Sequence, residues 1–178
     1  MKKNITCVLK NTLLLVVTTV LMTACTPTES EETKQLMAAD VQLTTDLEMY
    51  ESVWDKIINE RNIDAINETS FDKEVVIVTV PENIVGIQGF KDYYQNYLTG
   101  FSDAKFTIVD VFGQGDKIVK HWNFKGTHNG DFFGIPATGK IVDIDGVTLV
   151  QLKDGKIAQE RDFLDNLELM QQLGIMER

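Results

Sequence analysis

From about Asp40 the apolar residues Leu43, Leu47, Tyr50, Trp54 and Ile57 recur at steps of three and four. That spacing predicts a long helix with one apolar stripe, running to "NERNID", followed by a short helical turn, "IDAIN". The pattern then changes. "KEVVIVTV" (Lys73–Val80) is β-branched and strand-like, and Pro81, with no amide hydrogen for a ladder, ends it. "GFKDYYQNYLTGF" returns to the helical period, with Phe90, Tyr93, Tyr94 and Tyr97 clustered on one side and Gly100 at its end. Three long strands come next, roughly Ala104–Gln114, Lys117–His128 and Lys140–Leu152, and a fourth spans Lys156–Leu164. The Asp-Gly of "KDGK" at 153–156 is a strong hairpin signal, and "GQGDK" at 113–117 makes a looser turn. A short helix, "NLELMQQLG", closes the chain, with Asp165 placed to cap it.

Helices first and antiparallel strands afterwards predict an α+β domain over residues 40–178: one curved antiparallel sheet wrapped around N-terminal helices. Strand parity says what faces the enclosed space. Ile118, Trp122, Phe124 and His128 share one face of their strand, and Val142, Ile144, Thr148, Val150 and Leu152 share one face of the next. If these faces are inward, His128 looks into an aromatic box. On the last strand Ala158, Glu160, Asp162 and Leu164 oppose Ile157, Gln159, Arg161 and Phe163. Neither set is cleanly apolar, so parity leaves the inward side of that strand open. The glycine-rich "GTHNGDFFGIPATGK" at 126–140 brings Phe132 and Phe133 to a strand junction. They are expected at the mouth of a cavity, with core capping and a dimer contact as the alternatives.

The N-terminal pattern is of another kind. Lys2, Lys3 and Lys10 precede an apolar run from Thr12 to Ala24, too short for a spanning helix, which needs about 20 residues. "LMTAC" is similar to a bacterial lipobox, so residues 1–24 are expected to be a lipoprotein signal peptide and Cys25 the lipidated N-terminus. The polar, acidic "TPTESEETKQ" then reads as a flexible tether over residues 25–39. These features predict a lipid-anchored, extracytoplasmic protein of the bacterial cell envelope. Cys7 lies in the removed segment, which leaves no disulfide framework. The formal net charge is −10, and residues 1–24 hold three lysines and no acids, so processing leaves −13. A surface that acidic repels nucleic acid and anionic headgroups, and membrane attachment is expected through the lipid alone.

The stretch from "FSDAKFTIVDVFG" through "GTHNGDFFGIPATGK", with "DGKIAQERDFLD" and "QQLG", resembles the SnoaL-like polyketide cyclase (ester cyclase) family, whose fold is the nuclear-transport-factor-2-like cone. The resemblance implies that fold, an inward general acid–base aspartate at Asp162, and a pocket histidine at His128. It places Thr148 where the cyclases have a second pocket histidine, and Asn96 where they have a pocket asparagine. It also implies a homodimer through the outer sheet face.

The residues themselves leave room for other roles. A carboxylate facing an apolar box loses water, as a base taking a carbon-bound proton without a metal requires. Asp162 also reads as a surface partner of Arg161 or Lys156, His128 as a structural hydrogen-bonder in its turn, and Glu160 as solvated. With His121 and His128 the only histidines, a zinc site is not expected; "VDIDG" lacks the remaining ligands of a calcium loop, and no cofactor motif is present. Two functions follow. One is cofactor-independent acid–base chemistry on a small carbonyl compound, using Asp162 and His128, with Trp122, Phe124, Phe132, Phe133, Thr148 and Asn96 binding substrate. The other is a non-catalytic, membrane-tethered binder of a small hydrophobic molecule.

Overall fold

The computed structural model describes residues 30–177. The expected signal peptide and Cys25 lie outside them. The chain divides into two units after Gln35, and the sheet and the helices packed on it belong to the unit from Leu36 onward. Helix α1 spans Glu31–Trp54 and starts well ahead of Asp40, so much of the expected tether is helical. The Ser30 hydroxyl accepts from the Thr33 amide at 3.1 Å, and Glu31 and Glu32 sit at the positive end of the helix. Residues 31–42 are exposed, consistent with the lack of an apolar stripe there.

The stripe takes over further along, where α1 buries Tyr50, Val53 and Trp54. The helix then widens into a π-type turn, Asp55–Asn59, in which the Glu60 amide reaches back to the Asp55 carbonyl. That widening lets the adjacent Ile57 and Ile58 both point into the core. Helix α2 comes after strands β1 (Phe71–Ile77) and β2 (Ile84–Val85), spans Gly86–Gly100, and buries Phe90, Tyr94 and Leu98 one turn apart. Arg61 holds its C-terminal end, donating to the carbonyls of Leu98 and Phe101 at 2.5 and 3.0 Å.

Strands β3 (Lys105–Gln114), β4 (Lys117–Thr127), β5 (Ile141–Lys153) and β6 (Lys156–Leu164) follow, with α3 (Asn166–Gln172) last. The sheet is curved and unclosed, in the order β2-β1-β6-β5-β4-β3. All neighbours are antiparallel except β1 and β6, which run parallel, so the expectation of a wholly antiparallel sheet is corrected at one seam. Strand β1 begins and ends earlier than Lys73–Val80, and Val80 is exposed. Asp154 and Gly155 both take positive φ in the β5–β6 turn, as a tight hairpin requires. Asp165 caps α3, accepting from the Glu168 amide.

One irregularity decides which way β6 faces. Gln151 pairs with Gln159, but Leu152 pairs with Ile157, so Ala158 is an extra residue bulged out of the ladder. The bulge reverses parity. Ile157 and Glu160 therefore both point inward and are fully buried, although plain alternation puts them on opposite faces.

Candidate active site

Register across three strands lines up the polar residues of the concave face. Lys120 on β4 lies directly opposite Thr148 on β5, and Thr148 lies directly opposite Asp162 on β6. Opposed residues have Cβ atoms about 5 Å apart, so Lys120 and Asp162 flank Thr148 in one row. In the next row Trp122 is opposite Gly146. A side chain at Gly146 would collide with the Trp122 ring, so its absence lets the indole lie across β5 and donate to Thr148 Oγ1 at 2.9 Å. Thr148 in turn donates to Asp162 Oδ1 at 2.5 Å. The second oxygen, Oδ2, lies 3.4 Å from the Tyr94 hydroxyl of α2, whose single hydrogen it shares with Glu160 Oε2 at 3.2 Å. Sheet and helix thus flank the Asp162 carboxylate.

Glu160, one inward position along β6, is fully buried and not solvated as the sequence suggested. Its Oε1 accepts from the Tyr50 hydroxyl at 2.5 Å and from Trp54 Nε1 at 3.1 Å, and its Oε2 from Tyr94 at 3.2 Å. Removal from water raises the Glu160 pKa above its ordinary 4.5, and this outweighs the opposing pull of Lys120 and of the two donors on Oε1. Burial likewise pushes the phenols of Tyr50, Tyr94 and Tyr97 well above 10, with carboxylate charge adding to the effect for Tyr50 and Tyr94.

Asp162 and Lys120 border a cavity of about 30 Å³ with Trp54, Tyr94, Trp122 and Phe124, and with Ile58, Tyr97 and Phe106 completing the wall. As closed, it has room for little more than a water molecule. Lys120 is 2 % exposed, and its ammonium rests 4.0 Å from the centre of the Trp54 ring, with Tyr50 and Phe106 each at 5.1 Å. Desolvation lowers its pKa, against the opposing charges of Glu160 and Asp162.

The residues expected at the site divide. Asp162, Trp122 and Phe124 line the cavity, and Thr148 stands behind Asp162. His128 is inward and fully buried, but it is not in the cavity wall. It packs between Phe101 and Phe132 beyond the end of β4, with ring centres at 5.4 and 6.1 Å. Its Nδ1 lies 3.0 Å from the Thr138 hydroxyl and 3.3 Å from the Thr138 amide, and its Nε2 has no hydrogen-bond partner among the described residues. Asn96 is turned back along its own helix, donating to the carbonyls of Asp92 and Tyr93, and does not reach the cavity. Phe132 is buried against Gly100 and Tyr97, as core capping would have it. Phe133 is half-exposed, takes a φ of 50°, and lies over Tyr93 and Tyr97 at 5.2 and 5.8 Å, near the cavity wall that Tyr97 forms. Among the described residues no group of three His, Cys, Asp or Glu side chains could hold a metal ion.

Sequence reasoning missed two groups, Lys120 and Glu160. Lys120 had a visible signal: it shares parity with Ile118, Trp122 and Phe124, a lone charge in the middle of an apolar face.

A curved sheet with helices on its concave face, polar groups in one row and aromatics around them, defines a nuclear-transport-factor-2-like domain. The profile of the SnoaL-like polyketide cyclase family matches residues 45–173, and the chain belongs to that family. A crystal structure described as a SnoaL-like polyketide cyclase, from Jannaschia sp. CCS1, is 23% identical, with a TM-score of 0.68 over 75% of this chain and 94% of its own. TsrD from Streptomyces laurentii is 25% identical, with a TM-score of 0.67 over 74% and 97%. AclR from Streptomyces galilaeus, described as a hydroxylase, is 18% identical, with a TM-score of 0.66 over 76% and 85%. Two different reactions stand in those descriptions, so the shared fold does not name one for this chain. No curated protein matches the chain.

Proposed function

We propose that the domain performs cofactor-independent acid–base chemistry on a small carbonyl compound, with Asp162 as the base. The observation that carries this reading is the Asp162 carboxylate in the wall of an aromatic cavity, held by Thr148 on one oxygen and facing on the other the Tyr94 hydroxyl that it shares with Glu160. In the step envisaged, Asp162 takes a proton from carbon next to the carbonyl. The C–H electron pair becomes the C=C bond of an enolate, and the carbonyl oxygen takes the negative charge. The enolate carbon then attacks a second carbonyl, closing a ring, or is reprotonated elsewhere, giving an isomer. A substrate of several carbon atoms enters only if rings of the wall move; Tyr97 is part-buried there, with the half-exposed Phe133 over it.

The test is deuterium exchange into small ketones and β-diketones in D₂O, followed by NMR. Wild-type protein should speed exchange at the carbon next to the carbonyl. Asp162→Asn should keep affinity and lose about 10²- to 10⁴-fold in rate, the usual contribution of a general base. Equal rates in the two proteins would remove Asp162 from the chemistry. Binding without exchange in wild type would favour the second reading, a non-catalytic binder, which the threonine at position 148 supports because a hydroxyl is a poor proton carrier.

The domain is further proposed to work outside the cytoplasm, tethered by a lipid on Cys25; "LMTAC" carries this part. Cys25→Ser should release the protein from membranes or leave its precursor unprocessed, and unchanged fractionation with normal processing would refute the anchor.

A further inference from the structure

The base reading leaves one group in the cavity wall without a task. Lys120 places a cation among Trp54, Tyr50 and Phe106 at 2 % exposure, and among the described residues its ammonium makes no hydrogen bond and no ion pair. Two carboxylates are close enough to influence it, yet neither comes within ion-pair distance. Cation–π contacts hold the charge but leave its hydrogens unused, and a buried cation without hydrogen bonds is costly. An ammonium bordering a cavity in that condition is poised to donate to something that enters it.

We infer that Lys120 is a substrate-binding and catalytic residue: its ammonium receives the carbonyl oxygen of the substrate and holds the negative charge as the enolate forms. The inference rests on the base reading above and adds the electrophile that reading lacks. The register supplies the geometry. Lys120 and Asp162 stand at the two ends of one row, with Thr148 between them. Their Cβ atoms are about 10 Å apart on that spacing, so side chains reaching inward from each end face one small cavity, which must widen to take a C–C=O unit between them. Its carbon end meets Asp162 and its oxygen end meets Lys120. The surrounding rings exclude water, which strengthens the interaction of the ammonium with a developing oxyanion. The favoured substrate class is a small carbonyl compound with an acidic α-hydrogen, a β-dicarbonyl before a simple ketone, because its enolate is the anion this cation would select.

Acetylacetone, a β-diketone whose enolate absorbs differently from the neutral tautomers, is a suitable probe. Both tryptophans of the chain, Trp54 and Trp122, line the cavity, so intrinsic fluorescence reports occupancy while absorbance reports ionisation. The full chain, its Asp162→Asn variant and the Lys120→Met variant in each background would be titrated. Asp162→Asn, relieved of the facing negative charge, should bind the enolate more tightly than wild type. Lys120→Met should weaken enolate binding by about 10- to 100-fold, the span of one hydrogen bond to a charged group, and Lys120→Arg should restore part of it. Equal enolate affinity with and without Lys120 overturns the inference.

A second measurement needs no Lys120 variant. In Asp162→Asn the pocket should shift acetylacetone toward its enolate at a pH where the free compound is neutral. Fluorescence quenching without enolate absorbance overturns the role of Lys120 and leaves the pocket standing. Failure of both signals, and of a neutral ketone such as cyclohexanone, overturns the pocket as well.

Discussion

Lys120 and His128 enter the core from the same face of the sheet, one in the middle of β4 and the other just past its end, and both are buried. Their surroundings differ. Around Lys120 a polar row crosses three strands, Tyr50, Trp54 and Tyr94 converge from the helices on Glu160, and a small cavity separates the charges. Around His128 the chain closes on itself. The Gly130 amide donates to Gly100 O, a side chain at Gly130 would collide with the Thr99 carbonyl, and Phe101 and Phe132 cover the imidazole. Inward parity and burial are thus shared by a group that borders open space and a group that fastens a turn. What separates them is whether polar atoms face a space a ligand can enter.

That comparison is sharpest in the pair of substitutions with the largest expected effects. Beyond the loss of exchange in Asp162→Asn, Thr148→Val keeps shape but strands Trp122 Nε1 and Asp162 Oδ1. Leaving buried polar groups without partners costs about 1–3 kcal/mol each, so a clear drop in stability should accompany a fall in exchange rate, read by urea unfolding and by NMR. Unchanged rate with lowered stability would make the row a structural feature only. His128→Leu should do less. It removes the acceptor for the Thr138 amide at an edge of the fold, for a loss of about 1 kcal/mol, and should leave the exchange rate and the cavity fluorescence as they were. A rate loss in His128→Leu larger than its stability loss explains would erase the distinction drawn here and return the histidine to the chemistry.

Much of this was legible in the chain. The apolar sets on β4 and β5 face inward as alternation requires, Asp-Gly makes the tight turn, and Asp165 caps α3. The site was legible only in part, for three physical reasons. Alternation gives the face but not the register, so Lys120, Thr148 and Asp162 could not be seen as one row. The bulge at Ala158 breaks alternation where β6 needed it, and it turns Glu160 inward beside Ile157. The partners that make a buried glutamate tolerable, Tyr50 and Trp54, lie on α1, far away in sequence. Nothing within β6 signals them. The start of α1 at Glu31 was missed for the opposite reason: its first turns rest on a cap and on acidic residues, with no apolar stripe to mark them.

Glu160 supplies the prediction that most directly probes how the charged region is balanced. Its pKa is raised above 4.5 in the folded protein, chiefly by burial. Above pH 4.5 the unfolded chain therefore releases this proton while the folded chain keeps it. Stability contributed by the protonated form is fully present below 4.5 and is lost as pH rises through the folded value, with a slope of at most about 1.4 kcal/mol per pH unit. Glu160→Gln keeps an acceptor for Tyr50 and Trp54 and cannot ionise. The melting temperature of wild type should accordingly fall, relative to Glu160→Gln, as pH rises from about 4.5 toward neutrality, and the two curves should run parallel beyond the folded value. Parallel curves throughout would mean that the glutamate is not desolvated as its burial implies. Lys120 opposes the rise, so Lys120→Met should push the Glu160 pKa further up and carry the declining limb to higher pH. No such coupling should follow from His128→Leu, because the imidazole is absent from the groups acting on Glu160. A displaced limb in the first variant and an unmoved one in the second would show, from titration alone, that the two buried basic side chains belong to different parts of the core.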